Sequence, residues 1–249
     1  MDATLANCKK LKDVLNVMKD LVDEGNLVCD VNGISMQSLD ASHIAFCEFK
    51  LTPKFFDAYV CPSQVNMGVS LKQFSKLLQS IQKEKNTSIK LSKKKDQLGI
   101  ELCQDDKTFG YDLKLMDIDQ EQLSIQNLDW DAKVTLDAKL FKDVISNLDD
   151  FGMNLIMQLN QSTDPYFVLK VDGSMGTSIT KLRGLFDCKR PIDVMFSMRY
   201  MQRFVQGTGL AEKVHLYISN HAPIRVTYEF SGEDGELNFY LAPKTANDS

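Results

Sequence analysis

The sequence predicts an α+β protein made of two similar domains, each with antiparallel sheet covered on one face by two helices. Four short segments place apolar residues at helical spacing, and alternating runs typical of strands fill the chain between them. The order of these elements restarts after the midpoint, which indicates an internal repeat. A chain of 249 residues is long enough for two domains of ordinary size.

The first half contains two predicted helices with opposed apolar and basic faces. In residues 9–22 the apolar series begins at Leu11 and recurs at helical spacing, and in residues 71–83 it begins at Leu71. The other faces carry Lys9, Lys12, Asn16, Lys19, Lys72, Lys76, Gln79 and Lys83. We predict strands at 27–31, 33–39, 43–51, 55–61, 88–91, 97–103 and 108–113.

The second half repeats this arrangement. Predicted helices cover residues 138–148 and 199–206, and residues 132–141 match residues 65–74 as a strand, a small polar turn and a helix with a phenylalanine. We predict strands at 132–136, 155–159, 166–171, 178–182, 192–197, 213–219, 224–230 and 236–241.

Residues 113–130 join the two halves. They contain neither glycine nor proline, and their apolar residues follow neither a helical nor a strand period. A long unpatterned connection inside a compact protein is typical of a functional segment, although a plain surface linker fits the pattern equally well. We therefore predict domains at 1–112 and 131–249, with an interdomain connector at 113–130.

The charge of the chain is unevenly distributed. The net charge is −5 and the isoelectric point about 5.3, yet three of the four helices have a basic or basic-polar outer face. On any one helix the simpler interpretation is a solvated face, and Asp143 weakens the pattern on the third helix. Basic bias on several helices of an acidic chain indicates a local positive field, as in a nucleic-acid-binding surface.

The sequence shows no catalytic constellation. The motifs G-x-x-x-x-G-K-[ST], G-x-G-x-x-G, G-x-S-x-G and H-E-x-x-H are absent, and three histidines have no acidic partner at a fixed spacing. The glycine-containing string at 173–178 lacks the lysine of a phosphate loop and precedes a predicted strand, so we interpret it as a turn. We predict that the protein is not an enzyme and has no cofactor or metal.

The six cysteines are scattered, without a C-x-x-C pair or a histidine at ligand spacing. This favours buried free thiols in a reducing compartment over a disulfide framework or a zinc site. No apolar run is long enough to span a bilayer, and the amphipathic, lysine-containing N-terminal segment does not suit a signal peptide. We expect no membrane partner.

Three further strings, at 33–44, 111–123 and 240–244, are specific. Each closely resembles the corresponding string of the sliding-clamp family of proliferating cell nuclear antigen (PCNA), and Lys12, Lys19, Lys76 and residues 198–200 also align with that family. The resemblance covers essentially the whole chain. It implies the DNA clamp fold, a ring of three identical subunits with sheets outside and helices inside, around double-stranded DNA.

The resemblance also implies a function and partners. The ring would be a processivity factor for DNA polymerase and a recruitment platform for replication and repair proteins in the nucleus. Partners, including the clamp loader, would insert short peptides into a hydrophobic groove under the connector. Contacts from helix lysines to phosphate carry no base information, so the ring could slide.

Site residues implied by the resemblance form three sets. The partner-peptide groove would comprise Leu39, His43, Ile44, Phe46, Leu123, Ile125, Pro223, Tyr240, Ala242 and Pro243. The DNA-facing set would comprise Lys9, Lys12, Lys19, Lys72, Lys76, Lys142, Arg199 and Arg203. The subunit interface would comprise Leu77, Leu78, Thr108, Phe109, Tyr111, Thr177, Ile179 and Lys181, because ring closure removes two exposed sheet edges.

The chain departs from the family at several positions. Residues 60–63 lack the basic groups that the family often has there, and Gln79, Ser146 and Gln206 stand where basic residues are common. The segment at 184–190 is short and basic, whereas the family usually has a longer acidic loop. We expect Lys72, Lys142 and Arg203 to compensate for the lost charge.

Two alternatives remain open from the sequence. The chain could be one subunit of a heterotrimeric checkpoint-type clamp with the same fold, in which case it should not close a ring alone. It could also be an enzyme on an unrelated α+β fold, which a buried acid–base pair would indicate. An apolar groove beside His43 would contradict the second alternative.

Overall fold

The chain forms four α-helices and eighteen strands in the residues that this computed structural model describes, which are 1–79, 87–119, 128–161 and 165–244. The first half contains β1 (Asp2–Leu5), α1 (Lys9–Lys19), β2 (Glu24–Asp30), β3 (Gly33–Leu39), β4 (Ala45–Leu51), β5 (Ala58–Val60), β6 (Val65–Ser70), α2 (Leu71–Gln79), β7 (Ser88–Lys94), β8 (Gln97–Gln104) and β9 (Lys107–Lys114). The second half contains β10 (Ala132–Asp137), α3 (Ala138–Asp149), β11 (Asn154–Leu159), β12 (Phe167–Gly173), β13 (Gly176–Leu182), β14 (Leu185–Cys188), β15 (Ile192–Ser197), α4 (Met198–Phe204), β16 (Lys213–Ile218), β17 (Ile224–Glu229) and β18 (Gly235–Leu241).

The predicted internal repeat is present, with a different alignment. Both halves follow the order strand, helix, five strands, helix, three strands. This order equates β10–α3 with β1–α1 and β15–α4 with β6–α2. The sequence comparison instead paired residues 65–74 with 132–141. A strand that leads into a helix recurs within each half, so local pattern alone does not identify the right partner.

Three of these helices begin directly after a strand, without the separate polar turn that we predicted. The last strand residue occupies that position, as Ser70 does before α2 and Ser197 before α4. Before α3, the Asp137 carboxylate accepts a hydrogen bond of 2.9 Å from the Leu140 N–H. This side chain satisfies one of the N–H groups that the first turn of a helix leaves without a partner.

One compact unit consists of Met1–Ala41, Cys47–Leu123 and Phe230–Leu237. It contains a five-stranded antiparallel sheet in the order β5-β1-β7-β8-β9 and, in this order, β4 from Cys47 onwards, β3, β2 and β6. Helices α1 and α2 pack against each other, and α2 also contacts β2 and β6. The core of this unit includes Met18, Phe49 and Phe74, each at most 1% exposed.

The other compact unit consists of Ser42–Phe46, Ser124–Glu229 and Asn238–Ser249. Its strands follow the orders β13-β12-β11-β15 and β14-β10-β16-β17-β18, which match the orders of the first unit strand for strand. Helix α3 packs on α4, β10 and β16. In the core the rings of Phe204 and Phe239 stack with centroids 4.6 Å apart.

Several element bounds differ from the prediction. Helix α1 ends at Lys19, and Leu21 and Val22 are buried in the turn that follows. Residues 80–83 of the second predicted helix lie outside the described residues. Residues 55–61 form the end of a 3₁₀ turn and the short strand β5, not one strand. Strand β14 lies in a segment that we expected to be turns, because none of its four residues is buried and the strand is too short to show a period.

None of the described helices is long and apolar enough to cross a membrane. The string at 173–178 is the predicted turn, since Gly173 and Gly176 close the β12–β13 hairpin. All six cysteines are free, but only Cys29, Cys47 and Cys61 are buried, so the expectation of buried thiols holds for three of them.

Candidate functional site

The four helices carry their cations away from their buried sides. On α1, Leu11 and Val14 are buried whereas Lys9 is exposed and Lys12 half-buried. The same division holds on the other helices, where Lys72, Lys76 and Arg199 are exposed and Lys142 and Arg203 are half-buried. Helical side chains three or four residues apart lie on one face, so each helix presents a short basic row.

Uncharged side chains join the helices in pairs, and one of them, Gln79, stands where the family commonly has a basic residue. The Ser75 hydroxyl donates to Asn16 Oδ1 over 2.8 Å, and the Gln79 amide donates to the same oxygen over 3.2 Å, which ties α1 to α2. The Gln202 amide donates to the Ile145 carbonyl over 3.1 Å and ties α4 to α3. Gln79 therefore connects two helices. Of the cations expected to compensate, Lys72 forms an ion pair of 2.7 Å with Asp23.

Four residues of the predicted peptide groove come together in the second unit. The Ala242 N–H donates to the Ile44 carbonyl over 3.4 Å, and the rings of Phe46 and Tyr240 lie with centroids 5.5 Å apart. Ile44 is 47% exposed, so an apolar side chain faces solvent beside a buried aromatic pair. His43 is exposed and has a φ of 56°, a left-handed conformation that is uncommon for a residue with a side chain.

The other residues of the predicted groove are not shown in contact with these four. Leu39 ends β3 and belongs to the first unit. Pro223 is exposed in the loop between β16 and β17, and Pro243 is half-buried after β18. Leu123 and Ile125 lie outside the described residues.

The first end of the connector is fixed to the first unit by two neighbouring residues. The Met116 N–H donates to the Gly68 carbonyl over 2.8 Å, and the Asn26 side-chain amide donates to the Ile118 carbonyl over 3.0 Å. Asn26 and Gly68 stand opposite each other on β2 and β6. The connector thus continues from β9 to the edge strand β6 before it leaves the described residues.

The other end of the connector is fixed to the second unit by charge. Arg190 forms an ion pair of 2.8 Å with Asp129 and a second, very short one with Asp131. Lys189 adds an ion pair of 3.5 Å with Asp129, and the backbone N–H groups of both basic residues donate to the Asp131 carbonyl. The short basic segment at 184–190, noted above as a departure from the family, therefore holds the acidic end of the connector.

Asp131 is almost completely buried yet charged. Burial alone would raise the pKa of its carboxyl, but the Asn220 N–H at 3.0 Å, the Ser219 hydroxyl at 2.9 Å and the Arg190 charge outweigh it and hold this pKa below its ordinary value. A carboxylate with these partners fixes the chain at the point where the connector becomes β10.

The predicted interface residues lie mainly on two sheet edges. Strand β9 ends the five-stranded sheet of the first unit, and β13 ends the four-stranded sheet of the second. On these strands Phe109 is 38% and Ile179 is 55% exposed. Thr108, Thr177 and Lys181 are also exposed, and Tyr111 and Leu77 are half-buried. Leu78 is 2% exposed and belongs to the core of its own unit.

The described residues show neither a metal site nor an activated nucleophile. No group of three or more His, Cys, Asp or Glu residues there could hold a metal ion. Burial raises the pKa of the Cys29 thiol to about 12 and keeps it protonated. His215 accepts or donates one hydrogen bond of 2.9 Å to the Thr135 hydroxyl, and burial lowers the pKa of its ring.

Sequence reasoning missed the residues that hold the connector. Gly68, Asn26, Asp131 and Arg190 were not among the predicted site residues, because each acts on a part of the chain that is far away in sequence. The sequence offers no local signal for Asp131, because only the fold shows that this aspartate is buried and must therefore be paired.

Two repeated α+β units, basic helix faces on an acidic chain and a connector held at both ends define the class of the DNA sliding clamps. The sequence model of the N-terminal domain of proliferating cell nuclear antigen matches residues 1–123, and that of its C-terminal domain matches residues 124–245. The chain therefore belongs to the proliferating cell nuclear antigen family, whose members are non-enzymatic sliding-clamp scaffolds.

Relatives from several organisms match over nearly their whole length. The chain is 30% identical to proliferating cell nuclear antigen of Chaetomium thermophilum, covering 100% of this chain and 99% of the relative. It is 31% identical to that of Caenorhabditis elegans, covering 99% and 98%. It is 27% identical to proliferating cell nuclear antigen 2 of Drosophila melanogaster, covering 98% and 97%.

Proposed function

We propose that three copies of this chain close a ring around double-stranded DNA and act there as a processivity factor for DNA polymerase. The same ring recruits replication and repair proteins through their short peptides, and the chain has no catalytic activity of its own. In this proposal residues 1–112 and 131–249 are the two domains, residues 113–130 connect them, and the ring works in the nucleus.

The repeated strand order is the observation that carries the proposal. Within the second unit, the start of β4 lies beside the end of β18, as the hydrogen bond between Ile44 and Ala242 indicates. Within the first unit, the residue after β4 lies beside the residue before β18, since the Thr52 N–H donates to the Asp234 carbonyl over 2.9 Å. In the repeat, β13 is equivalent to β4 and β9 is equivalent to β18.

The equivalent pairing, β13 with β9, requires two copies of the chain. Both strands are sheet edges with exposed apolar side chains, and an unpaired edge of this kind is a liability that closure of a ring removes. In such a ring the edge residues Thr108, Phe109 and Tyr111 of one copy would lie against Thr177, Ile179 and Lys181 of the next. Leu77 and Leu78 would pack nearby.

Charge supports DNA as the ligand of the helix side. The chain has a net charge of −5, so cations concentrated on helices can attract phosphate there while the rest of the surface repels it. The proposed contacts come from Lys9, Lys12, Lys19, Lys72, Lys76, Lys142, Arg199 and Arg203. Lysine and arginine contacts to phosphate do not read base identity, which suits a ring that moves along DNA.

The peptide groove would form around the exposed Ile44 and the aromatic pair of Phe46 and Tyr240. His43, Leu39, Ala242, Pro223 and Pro243 would border it, and Leu123 and Ile125 would close it from the connector. Polymerase, clamp loader and other proteins would enter it with a short aromatic helical motif.

Light scattering of the purified protein tests the proposal at its main step. A ring of three should give three times the chain mass of 28.2 kDa, about 85 kDa. A stable monomer at micromolar concentration would contradict self-closure and would favour a subunit of a heterotrimeric checkpoint-type clamp. Mixing the monomer with candidate partner subunits would then be expected to restore the mass of a ring.

A further inference from the structure

The outer face of the second unit carries a row of cations on aromatic rings that the proposed function does not use. Lys133, Tyr217 and Arg225 stand directly opposite one another on β10, β16 and β17. Their side chains are half-buried, whereas Val134 and Leu216 beside them face the core. Alternation along each strand therefore places the three side chains together on the face away from the core.

Two cations share one ring in this row. The Arg225 guanidinium lies 3.9 Å from the centroid of Tyr217 and 5.6 Å from that of Trp130, and Lys133 Nζ lies 5.1 Å from the centroid of Tyr217. The rings of Trp130 and Tyr217 are 6.0 Å apart. Cation–π contact holds each positive group in place, but two like charges on one ring repel each other.

One carboxylate of the described residues stands in the row, since Asp187 on β14 lies directly opposite Lys133, but it forms no ion pair with Lys133. Arg225 Nε is buried without a hydrogen-bond partner among the described residues, and neither Arg225 nor Lys133 forms an ion pair with a described carboxylate. A guanidinium stacked on a ring keeps its edge available for two parallel hydrogen bonds to a planar carboxylate. A carboxylate that accepts hydrogen bonds from the terminal N–H groups of Arg225 and from Lys133 would relieve the repulsion.

The row continues into the proposed peptide groove. The Thr227 hydroxyl donates to Asn238 Oδ1 over 2.6 Å, which fixes these two residues side by side on β17 and β18. Residues two positions along a strand point the same way, so Tyr240 stands next to Arg225 on the same face. Tyr240 is the groove residue that packs on Phe46.

We propose that Arg225 and Lys133 form a subsite for acidic side chains of the partner peptide, beside its aromatic anchor. The inference rests on the proposed groove and names the partner more closely: peptides with aspartate or glutamate near the anchor bind best. Neighbouring strands are about 4.8 Å apart. Measured across the strands from Tyr240 on β18, Arg225 on β17 is therefore about 5 Å away and Lys133 on β10 about 14 Å away. An extended peptide covers these distances with two to five residues.

The experiment compares synthetic fluorescent peptides that share one aromatic helical anchor. Each pair consists of an acidic peptide with the dipeptide Asp-Glu and a neutral peptide with Asn-Gln at the same position. In the first pair the dipeptide lies two to five residues after the anchor, and in the second pair it lies two to five residues before the anchor. We expect one acidic peptide to bind the full-length protein about tenfold more tightly than its neutral counterpart. This ratio should fall as salt is raised from 50 to 300 mM, because the added contact is ionic.

Variants of the protein then test whether Arg225 causes the preference for acidic peptides. Arg225→Met should bring the acidic-to-neutral ratio below about threefold and leave the neutral peptide's affinity unchanged, and Arg225→Lys should give an intermediate ratio. Lys213→Met removes the same charge from the exposed start of β16 and should keep the full ratio. Equal binding of acidic and neutral peptides, or a ratio that survives Arg225→Met, overturns the subsite and leaves the groove intact. Failure of every peptide to bind overturns the groove and the subsite with it.

Discussion

Gly68 and Met116 are joined backbone to backbone, because the Met116 N–H donates to the Gly68 carbonyl over 2.8 Å. A Cβ atom added at Gly68 would lie 2.2 Å from the Met116 carbonyl oxygen, far inside van der Waals contact. The glycine is thus required by the close approach of the connector to β6. Together with Asn26 on the neighbouring strand, Gly68 fixes the position of residues 116–118 against β6.

Replacement of Gly68 by alanine should therefore displace the start of the connector. The backbone of one segment must shift, which costs about 1–3 kcal/mol in the free energy of unfolding. We expect a lower midpoint of urea unfolding and weaker binding of an aromatic-anchor peptide. Gly209→Ala is the control, since a Cβ there meets no atom within 4 Å. Equal midpoints and affinities for the two variants would contradict the close approach.

The sequence was sufficient to predict what depends on local periodicity. Helix α3 was predicted almost to the residue because its apolar positions, from Phe141 to Leu148, are both regular and buried. Strands β3 and β15 were predicted to the residue for the same reason. The short strands β1 and β14 were missed, because their pairing is decided by a distant partner strand and four residues give no period of their own.

Long-range contacts limited the prediction of the site in the same way. The family resemblance named Tyr240 and Phe46, and the structure brings their rings together. It did not name Asp131 or Arg190, whose ion pair joins residues that are far apart along the chain. Gln79 looked like a lost cation in the sequence, and only its contact with Asn16 on another helix reveals its structural part.

Asp131 makes the stability of the protein sensitive to acid. Its pKa is lowered in the folded chain, so its ionised form stabilises the fold above the unfolded-state pKa of about 4, and this contribution is lost as the pH falls through the lower folded-state value. Asp131→Asn should cost about 2–3 kcal/mol at pH 7 and progressively less below pH 4. Urea unfolding at pH 7, 5, 4 and 3 measures this difference.

The matched control for Asp131 is the exposed Asp106 in the turn between β8 and β9. Asp106→Asn should change the free energy of unfolding by less than about 0.5 kcal/mol at every pH. A constant difference between Asp131→Asn and the unchanged protein from pH 7 to pH 3 would show that the cost comes from packing and not from charge.

The groove prediction is tested at the connector. Replacing Leu123 and Ile125 together by alanine should abolish binding of an aromatic-anchor peptide, because both apolar side chains would be lost from one wall of the groove. Met175→Ala truncates an apolar side chain that is 68% exposed in a hairpin turn and should leave binding unchanged. Fluorescence anisotropy gives the two affinities. Unchanged affinity in the double variant would remove the connector from the groove.

The helix lysines should determine how DNA binding depends on salt. Replacing Lys12, Lys19 and Lys76 by glutamine removes up to three phosphate contacts, so the slope of log K against log salt should become shallower by about 2–3. Binding to a linear duplex, onto which a closed ring can thread from the ends, from 50 to 200 mM salt provides this slope. The control replaces Lys90, Lys93 and Lys95, which lie on or beside β7, and should leave it unchanged. Equal slopes for the two triple variants would contradict the helix faces as the DNA surface.

The proposed pairing of β9 with β13 between copies can be distinguished from a contact made simply by the most exposed apolar side chain. Ile179 on β13 and Leu185 on β14 are 55% and 71% exposed, so exposure in the single chain would make Leu185 the better candidate for an interface. The repeat argues the opposite: β13 is equivalent to β4, whose two ends each lie beside β18 within one unit, whereas β14 is equivalent to β5, a sheet end in the first unit. Ile179→Asp should therefore reduce the solution mass from about 85 kDa towards the 28.2 kDa of one chain, because a carboxylate would be buried without a partner. Leu185→Asp should leave the mass of the ring unchanged. Dissociation by Leu185→Asp alone would assign the contact between copies to β14 and would overturn the equivalence on which the proposed ring rests.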